Sequence, residues 1–137
     1  MIGLLDTYAQ VYALIIAGLT AVVFGLPLFL APLGWARAFR WRIPEHTDLA
    51  IYCGRCLGGF VLILDLFLLR AGLTGTGLVF AFQFLLAAGL FMLVAHVWGA
   101  LLRIQPWTEN LEILMYIALI LGTLLFYPAS DPVVTRF

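Results

Sequence analysis

Three ionisable side chains, those of Arg55, His96 and Glu112, lie a turn or two inside long apolar segments of this sequence. Ionisable groups in apolar surroundings are costly to bury, so they usually face other helices and find a partner there. Arg55 and Glu112 carry opposite charges, His96 can donate or accept a hydrogen bond, and Tyr116 lies one helical turn after Glu112. We therefore predict that these four residues meet, with an Arg55–Glu112 ion pair close to His96. A structural role in fixing helix register is the simpler interpretation of that pair, and a ligand-binding site is the alternative.

A second polar layer is predicted closer to the other end of the same segments. It consists of Asp65, Gln83 and Tyr12, although Gln83 lies well off the helical face of His96. We expect a structural hydrogen bond from Asp65 to Tyr12 or Gln83. No residue of either layer is assigned a catalytic role.

Two further patterns could indicate a metal or cofactor. Cys53 and Cys56 form a CxxC spacing, but there is no second CxxC and no histidine pair at zinc-ligand spacing. His96 has small neighbours and could be an axial ligand to haem or another pigment, although a single histidine supplies only one ligand. We predict no metal and no cofactor, and the sequence leaves pigment, haem and quinone open.

The elements that position these residues are apolar enough to cross a bilayer. Apolar residues make up 65% of the 137 residues, charged residues make up 10%, and the mean hydropathy is +1.14. A soluble domain carries about 25% charged residues, and a helix needs roughly 20 apolar residues to span the hydrocarbon core. Four segments satisfy that length, at about residues 4–33, 49–69, 78–102 and 111–127. The sequence therefore predicts an all-α fold, a single integral membrane domain over residues 1–137 built as a four-helix bundle.

Orientation follows from the arginines, since the sequence contains no lysine. Arg37, Arg40 and Arg42 lie in the first connection and Arg103 begins the third, whereas Arg70 and Arg136 lie on the opposite side. Basic loops stay in the cytoplasm, so both termini are predicted to be extracytoplasmic. The first segment lacks the basic region of a signal peptide and is expected to remain in the mature protein.

Several function classes lose support at this stage. The net charge is zero and no basic run is long enough to follow a phosphate backbone, so we expect no binding to nucleic acid. The sequence also lacks a Gly-rich phosphate loop, a GxSxG elbow and an HExxH helix. These absences make an enzymatic function the less favoured prediction.

Short motifs along the whole chain resemble the small four-helix bacterial membrane proteins related to the DoxX-like superfamily. The similar features are the Gly-Leu-Pro motif at the end of the first helix, Arg55-Cys-Leu-Gly-Gly59, His96-Val-Trp-Gly99 and the segment from Gln105 to Glu112. The resemblance implies a compact bundle in a bacterial inner membrane. It implies no catalytic residue set.

Two functions remain open from the sequence. The first, which we favour, is a small non-enzymatic subunit that packs in the bilayer against other membrane proteins or against copies of itself. The second is a membrane-embedded site for a small molecule such as a quinone or lipid, in a transporter or a redox-linked enzyme that uses Arg55, His96 and Glu112. Ligation of a pigment or haem by His96 is a lesser alternative.

Overall fold

A computed structural model describes residues 2–129 of the chain, and within this range it contains helices and no strand. A short 3-10 turn at Asp6–Tyr8 leads into the first helix. The α-helices in chain order are α1 (Ala9–Thr20), α2 (Leu26–Leu30), α3 (Pro32–Ala38), α4 (Asp48–Thr74), α5 (Leu78–Leu101) and α6 (Trp107–Leu125).

Four stretches of this fold are long and apolar enough to cross a membrane, as the sequence predicted. They are Asp6–Leu30, which joins α1 and α2, and the helices α4, α5 and α6. The first stretch is shorter than predicted, because the helix breaks at Ala31 and α3 follows as a separate element. The fourth begins earlier than predicted, at Trp107 directly after Pro106, whose extended backbone ends the preceding connection.

Many large apolar side chains lie on the outside of the described helices. Bulky apolar residues such as Phe80, Phe91 and Leu101 are among the most exposed, whereas the most buried residues include alanines, glycines and ionisable groups. Helices that associate in lipid pack through small residues and place their large apolar side chains on the outside. The outside of the described helices is therefore rich in large apolar side chains, as it is in helices that associate in lipid.

Small residues allow the first stretch and α4 to approach closely. Ala9, Ala13 and Ala17 form a buried row along α1, at a spacing of four residues. On α4 a Cβ atom at Gly58 would lie 2.4 Å from the backbone nitrogen of Phe29, so only glycine fits there. Gly54 meets Pro32 in the same way, so the GxxxG spacing of these two glycines lets α2 and α3 lie close to α4.

Pro27 does not end the first helix as the sequence predicted. A five-residue π-helical turn, Ala21–Gly25, precedes it, and the helix continues to Leu30. Proline has no N–H, so it cannot give the α-helical hydrogen bond to the carbonyl of Val23. The indole N–H of Trp35 donates to that carbonyl oxygen at 2.9 Å. Trp35 thereby replaces the donor that Pro27 lacks, and it also places α3 beside the first helix.

The N-terminal segment closes the bundle at the end opposite to α3. The backbone N–H of Gly3 donates to the carbonyl of Leu124, and that of Leu5 donates to the carbonyl of Leu125. The last carbonyls of a helix have no partner within the helix. The start of the chain therefore supplies donors to the end of α6.

Candidate functional site

The candidate site lies between the C-terminal part of α5 and the first turns of α6. His96 is five residues before the end of α5, and Glu112 is five residues after the start of α6. At a rise of about 1.5 Å per residue, both lie roughly 7–8 Å inside their helix ends. The two helices pack side by side as consecutive antiparallel neighbours, which places these two residues at the same depth.

Three ionisable side chains converge at this depth and all three are buried. His96 Nε2 lies 3.2 Å from Glu112 Oε2 and 3.3 Å from Glu109 Oε2. The exposed fractions are 8% for His96, 5% for Glu109 and 6% for Glu112. Because Glu109 and Glu112 are three residues apart on α6, both carboxylates face α5. One imidazole therefore stands against two carboxylates without bulk solvent between them.

Neighbouring groups hold the imidazole ring in place. His96 Nδ1 lies 2.8 Å from the carbonyl oxygen of Met92, one turn earlier on α5. The ring of Tyr116 is inclined against the imidazole with its centroid 4.9 Å away, and the Tyr116 hydroxyl donates to Glu112 Oε2 at 3.4 Å. The side chain of Gln105 donates to the carbonyl of His96 at 3.0 Å.

The connection between α3 and α4 covers the site from outside. The indole N–H of Trp41 donates to Glu109 Oε1 at 2.7 Å. The hydroxyl of Thr108 donates to the carbonyl of Phe39, and the guanidinium of Arg40 lies 5.4 Å from the ring centroid of Trp107. This connection is therefore fastened to the start of α6 beside the two carboxylates.

Glu112 keeps one unused oxygen. Its Oε1 atom is buried and has no hydrogen-bond partner among the described residues. Glu112 also contributes to the wall of a cavity of about 290 Å³ beside α3 and α6, and among residues 2–129 no other ionisable residue lines it. The other lining residues are Ala38, Phe39, Thr108, Leu111 and Met115. The buried carboxylate thus borders a mainly apolar groove.

Of the four residues predicted to meet, the structure brings together His96, Glu112 and Tyr116 but not Arg55. Arg55 is exposed, and within residues 2–129 it forms no ion pair with Glu112, whose charged neighbours are His96 and Glu109. The predicted Arg55–Glu112 pair is therefore wrong. Its physical reason is the packing of α4, which turns the Gly54–Gly58 face toward the first helix and leaves Arg55 outside that contact.

The predicted second polar layer is not a single cluster. Asp65 is buried, but its Oδ1 atom lies 2.5 Å from the hydroxyl of Thr20 on α1 and not beside Tyr12 or Gln83. The Tyr12 hydroxyl instead lies 3.0 Å from that of Thr123 on α6, and Gln83 is exposed. Asp65 and Tyr12 therefore tie helices together separately.

Sequence reasoning did not select Glu109 or Trp41 as site residues. The signal for Glu109 was present, since its spacing of three residues from Glu112 places both on one helical face. Nothing in the sequence pairs Trp41 with a carboxylate 68 residues later. Cys53 and Cys56, by contrast, are free and exposed, away from this site.

The geometry gives no support to a pigment or haem at His96. Both ring nitrogens face oxygen atoms of the protein, and Tyr116 lies against the ring.

No protein-family model, curated protein or solved structure matches the chain. The similarity to DoxX-like proteins thus stays a prediction.

Proposed function

We propose that this protein is a multi-pass membrane protein that binds a small ligand at the buried His96–Glu109–Glu112 cluster. Four long apolar helices and the exposure of their bulky side chains support insertion in a bilayer. The single observation that carries the binding function is the position of Glu112: its carboxyl group is 6% exposed and has an unpartnered buried oxygen, as Asp65 also has, but it alone of the two lies beside His96 and at the wall of a groove. Buried ionisable groups in a membrane usually mark a site or a pathway.

The orientation that we propose places this site near the cytoplasmic face. Arg37, Arg40 and Arg42 lie in and before the connection that covers the site, and Arg103 lies in the α5–α6 connection at the same end. The opposite described end has Arg70 alone, and Arg136 lies outside the described residues. By the positive-inside rule, both chain termini face away from the cytoplasm.

The groove beside Glu112 supports a ligand that enters from the bilayer or its interface. Its lining is mainly apolar, and the carboxyl group of Glu112 stands at its inner wall. Sites for small molecules combine an apolar lining with a few placed polar groups. The favoured ligand therefore carries a positive charge or a hydrogen-bond donor toward Glu112.

Native mass spectrometry after purification in a gentle detergent tests this proposal. We expect wild-type protein to retain a small ligand and Glu112→Gln to lose it. Asp65→Asn is the matched control, because Asp65 is a similarly buried carboxyl group away from the cluster. A wild-type protein that carries nothing beyond randomly bound lipid, or a ligand retained equally by all three proteins, would refute a site at Glu112.

A second candidate, the accessory subunit, is favoured by the position of Arg55. This residue is exposed on α4, seven residues after the helix start, and has no ion-pair partner within residues 2–129. A charged side chain at that depth must reach the interface or meet a partner. A carboxylate of another membrane protein, or of a second copy, would satisfy it.

Crosslinking through the native thiols tests the subunit candidate, since Cys56 is exposed beside Arg55. We expect a thiol-specific crosslinker applied to native membranes to join Cys56 to one discrete partner. The same experiment on Arg55→Leu should lose that product. A wild-type chain that remains monomeric and uncrosslinked would exclude a partner on this face.

A further inference from the structure

The hydrogen bonds around His96 leave three electron-pair donors facing one another. The carbonyl of Met92 can only accept, so His96 Nδ1 carries the proton that joins them. In the neutral ring, Nε2 then presents a lone pair, and this lone pair faces one oxygen each of Glu109 and Glu112. Such an arrangement requires a positive charge at its centre.

The two separations from His96 Nε2 suit a metal ion as the source of that charge, and the two carboxylate oxygens would have to lie within about 4.2 Å of each other around it. One ligand atom from each residue lies within 4.8 Å of the others. Bonds of about 2.0–2.1 Å in a tetrahedral site place neighbouring ligand atoms about 3.3 Å apart. The separations from His96 Nε2, 3.2 and 3.3 Å, agree with that value.

The surrounding hydrogen bonds are those that metal ligands commonly have. A metal-bound histidine usually donates its other N–H to a carbonyl or carboxylate, as His96 does to Met92. Bound carboxylates are themselves hydrogen-bonded, as Glu109 is by the indole of Trp41. Glu112 Oε1, buried and without a partner among the described residues, is available as an additional ligand.

We propose that His96 Nε2, Glu109 and Glu112 bind one divalent transition-metal ion, and this inference rests on the ligand site proposed above. One imidazole and two carboxylates suit borderline ions such as Zn²⁺ or Fe²⁺ and also the harder Mn²⁺. Ca²⁺ fits less well, because it takes six to eight oxygen ligands. The two carboxylates also balance the double charge of the ion. A fourth position is left for water or for a group that enters from the groove beside Glu112.

Metal binding to purified wild-type protein in detergent tests the proposal directly. The probes are Zn²⁺, measured by elemental analysis after removal of excess metal, and Co²⁺, measured by its visible absorption. The affinity tag must contain no histidine, and His46→Gln removes the only other histidine, in the exposed connection before α4. We expect one bound ion per chain in the wild type, in His46→Gln and in Asp65→Asn.

Two kinds of variant should weaken binding by different amounts. Trp41→Phe keeps all three ligands and removes one supporting hydrogen bond, so it should weaken binding about 10–100-fold. Glu112→Gln removes a ligand and should weaken it further. If Glu112→Gln fails to fold, the wild type still gives an answer, since ligation should raise its unfolding temperature and shift the Co²⁺ spectrum.

The possible outcomes distinguish a failure of the metal proposal from a failure of the proposed ligand site. A wild type that binds neither ion, or binds both only as well as Glu112→Gln does, overturns the metal proposal. If a Glu112-dependent organic ligand is found in that case, the site stands and a proton supplies the charge between the three side chains. If no Glu112-dependent ligand of either kind is found, both proposals fail.

Discussion

The hydrogen bond from Trp35 to Val23 predicts an energetic coupling between Trp35 and Pro27, two residues that do not exchange a hydrogen bond with each other. Trp35→Phe removes the indole N–H from the Val23 carbonyl, and Pro27 has no backbone N–H to take its place. In the background of Pro27→Ala, the new backbone N–H can make the α-helical hydrogen bond to the same carbonyl. Trp35→Phe should therefore destabilise the protein much less in that background.

The expected size of this coupling follows from two contributions. The Val23–Trp35 hydrogen bond is exposed on the surface of the described fold, and in the bilayer proposed above an unsatisfied polar group there costs about 1–3 kcal/mol. The indole also stacks on Phe39 with centroids 4.3 Å apart, and an aromatic pair is worth about 0.5–1.5 kcal/mol, much of which phenylalanine retains. We therefore expect Trp35→Phe to lower the free energy of unfolding by about 2–3 kcal/mol when Pro27 is present. In the Pro27→Ala background the loss should fall to about 1 kcal/mol, a coupling of roughly 1–2 kcal/mol.

The assay measures the free energy of unfolding in micelles that mix a mild detergent with increasing amounts of a denaturing detergent. It is applied to the wild type, both single variants and the double variant. Trp35→Leu in the same two backgrounds provides a control that removes the ring as well as the donor. Equal losses for Trp35→Phe in the two backgrounds would show that the carbonyl does not depend on the indole, and the account of the π-helical turn given above would then be wrong.

Three further predictions concern packing, the buried aspartate and topology. Gly58→Ala should lower the free energy of unfolding by about 1–3 kcal/mol, because its Cβ atom would lie 2.4–2.9 Å from backbone atoms. The control is the adjacent Gly59→Ala, whose Cβ atom would meet only the Phe29 ring at 3.8–3.9 Å, so this variant should be neutral or stabilising. Equal effects of the two variants on unfolding in micelles would contradict this packing. Asp65→Asn should be tolerated, because the amide can still exchange a hydrogen bond with the Thr20 hydroxyl. Asp65→Leu removes this link between α4 and α1, but the Thr20 hydroxyl can still donate to the carbonyl of Ile16 at 2.7 Å, so the variant should lower the unfolding free energy by only about 0.5–1.5 kcal/mol in the same assay. Thr76 and Ala38 are both exposed and can each be replaced by cysteine in a chain without native cysteines. On intact cells, an impermeant thiol reagent should label Thr76→Cys and not Ala38→Cys. The reverse labelling pattern would show that the orientation is inverted.

The sequence predicted the long helices well because their signal is local. A run of apolar residues of bilayer length needs no knowledge of its neighbours, and the four stretches appear close to where they were expected. His96 and Glu112 could be paired for a related reason. They lie on helices joined by a short connection, so their equal distance from that connection fixes their depth.

Contacts between distant segments could not be predicted in the same way. The sequence shows that Arg55 lies inside an apolar segment between Gly54 and Gly58, but it does not show which helix packs against that part of α4 or how far the contact extends. Trp41 meets Glu109 through an irregular connection whose path depends on the assembled helices. The partner of Asp65, Thr20, was missed because a threonine within an apolar helix gives no periodic signal.

The contact between the N-terminal segment and the end of α6 has a consequence for synthesis. Gly3 leaves the ribosome 121 residues before Leu124, whose carbonyl it contacts. At about 5–20 residues per second, this partner arrives roughly 6–24 s later. This contact can therefore form only after α6 has been synthesised, so the attachment of the N-terminal segment to α6 is among the last contacts of the described fold to form.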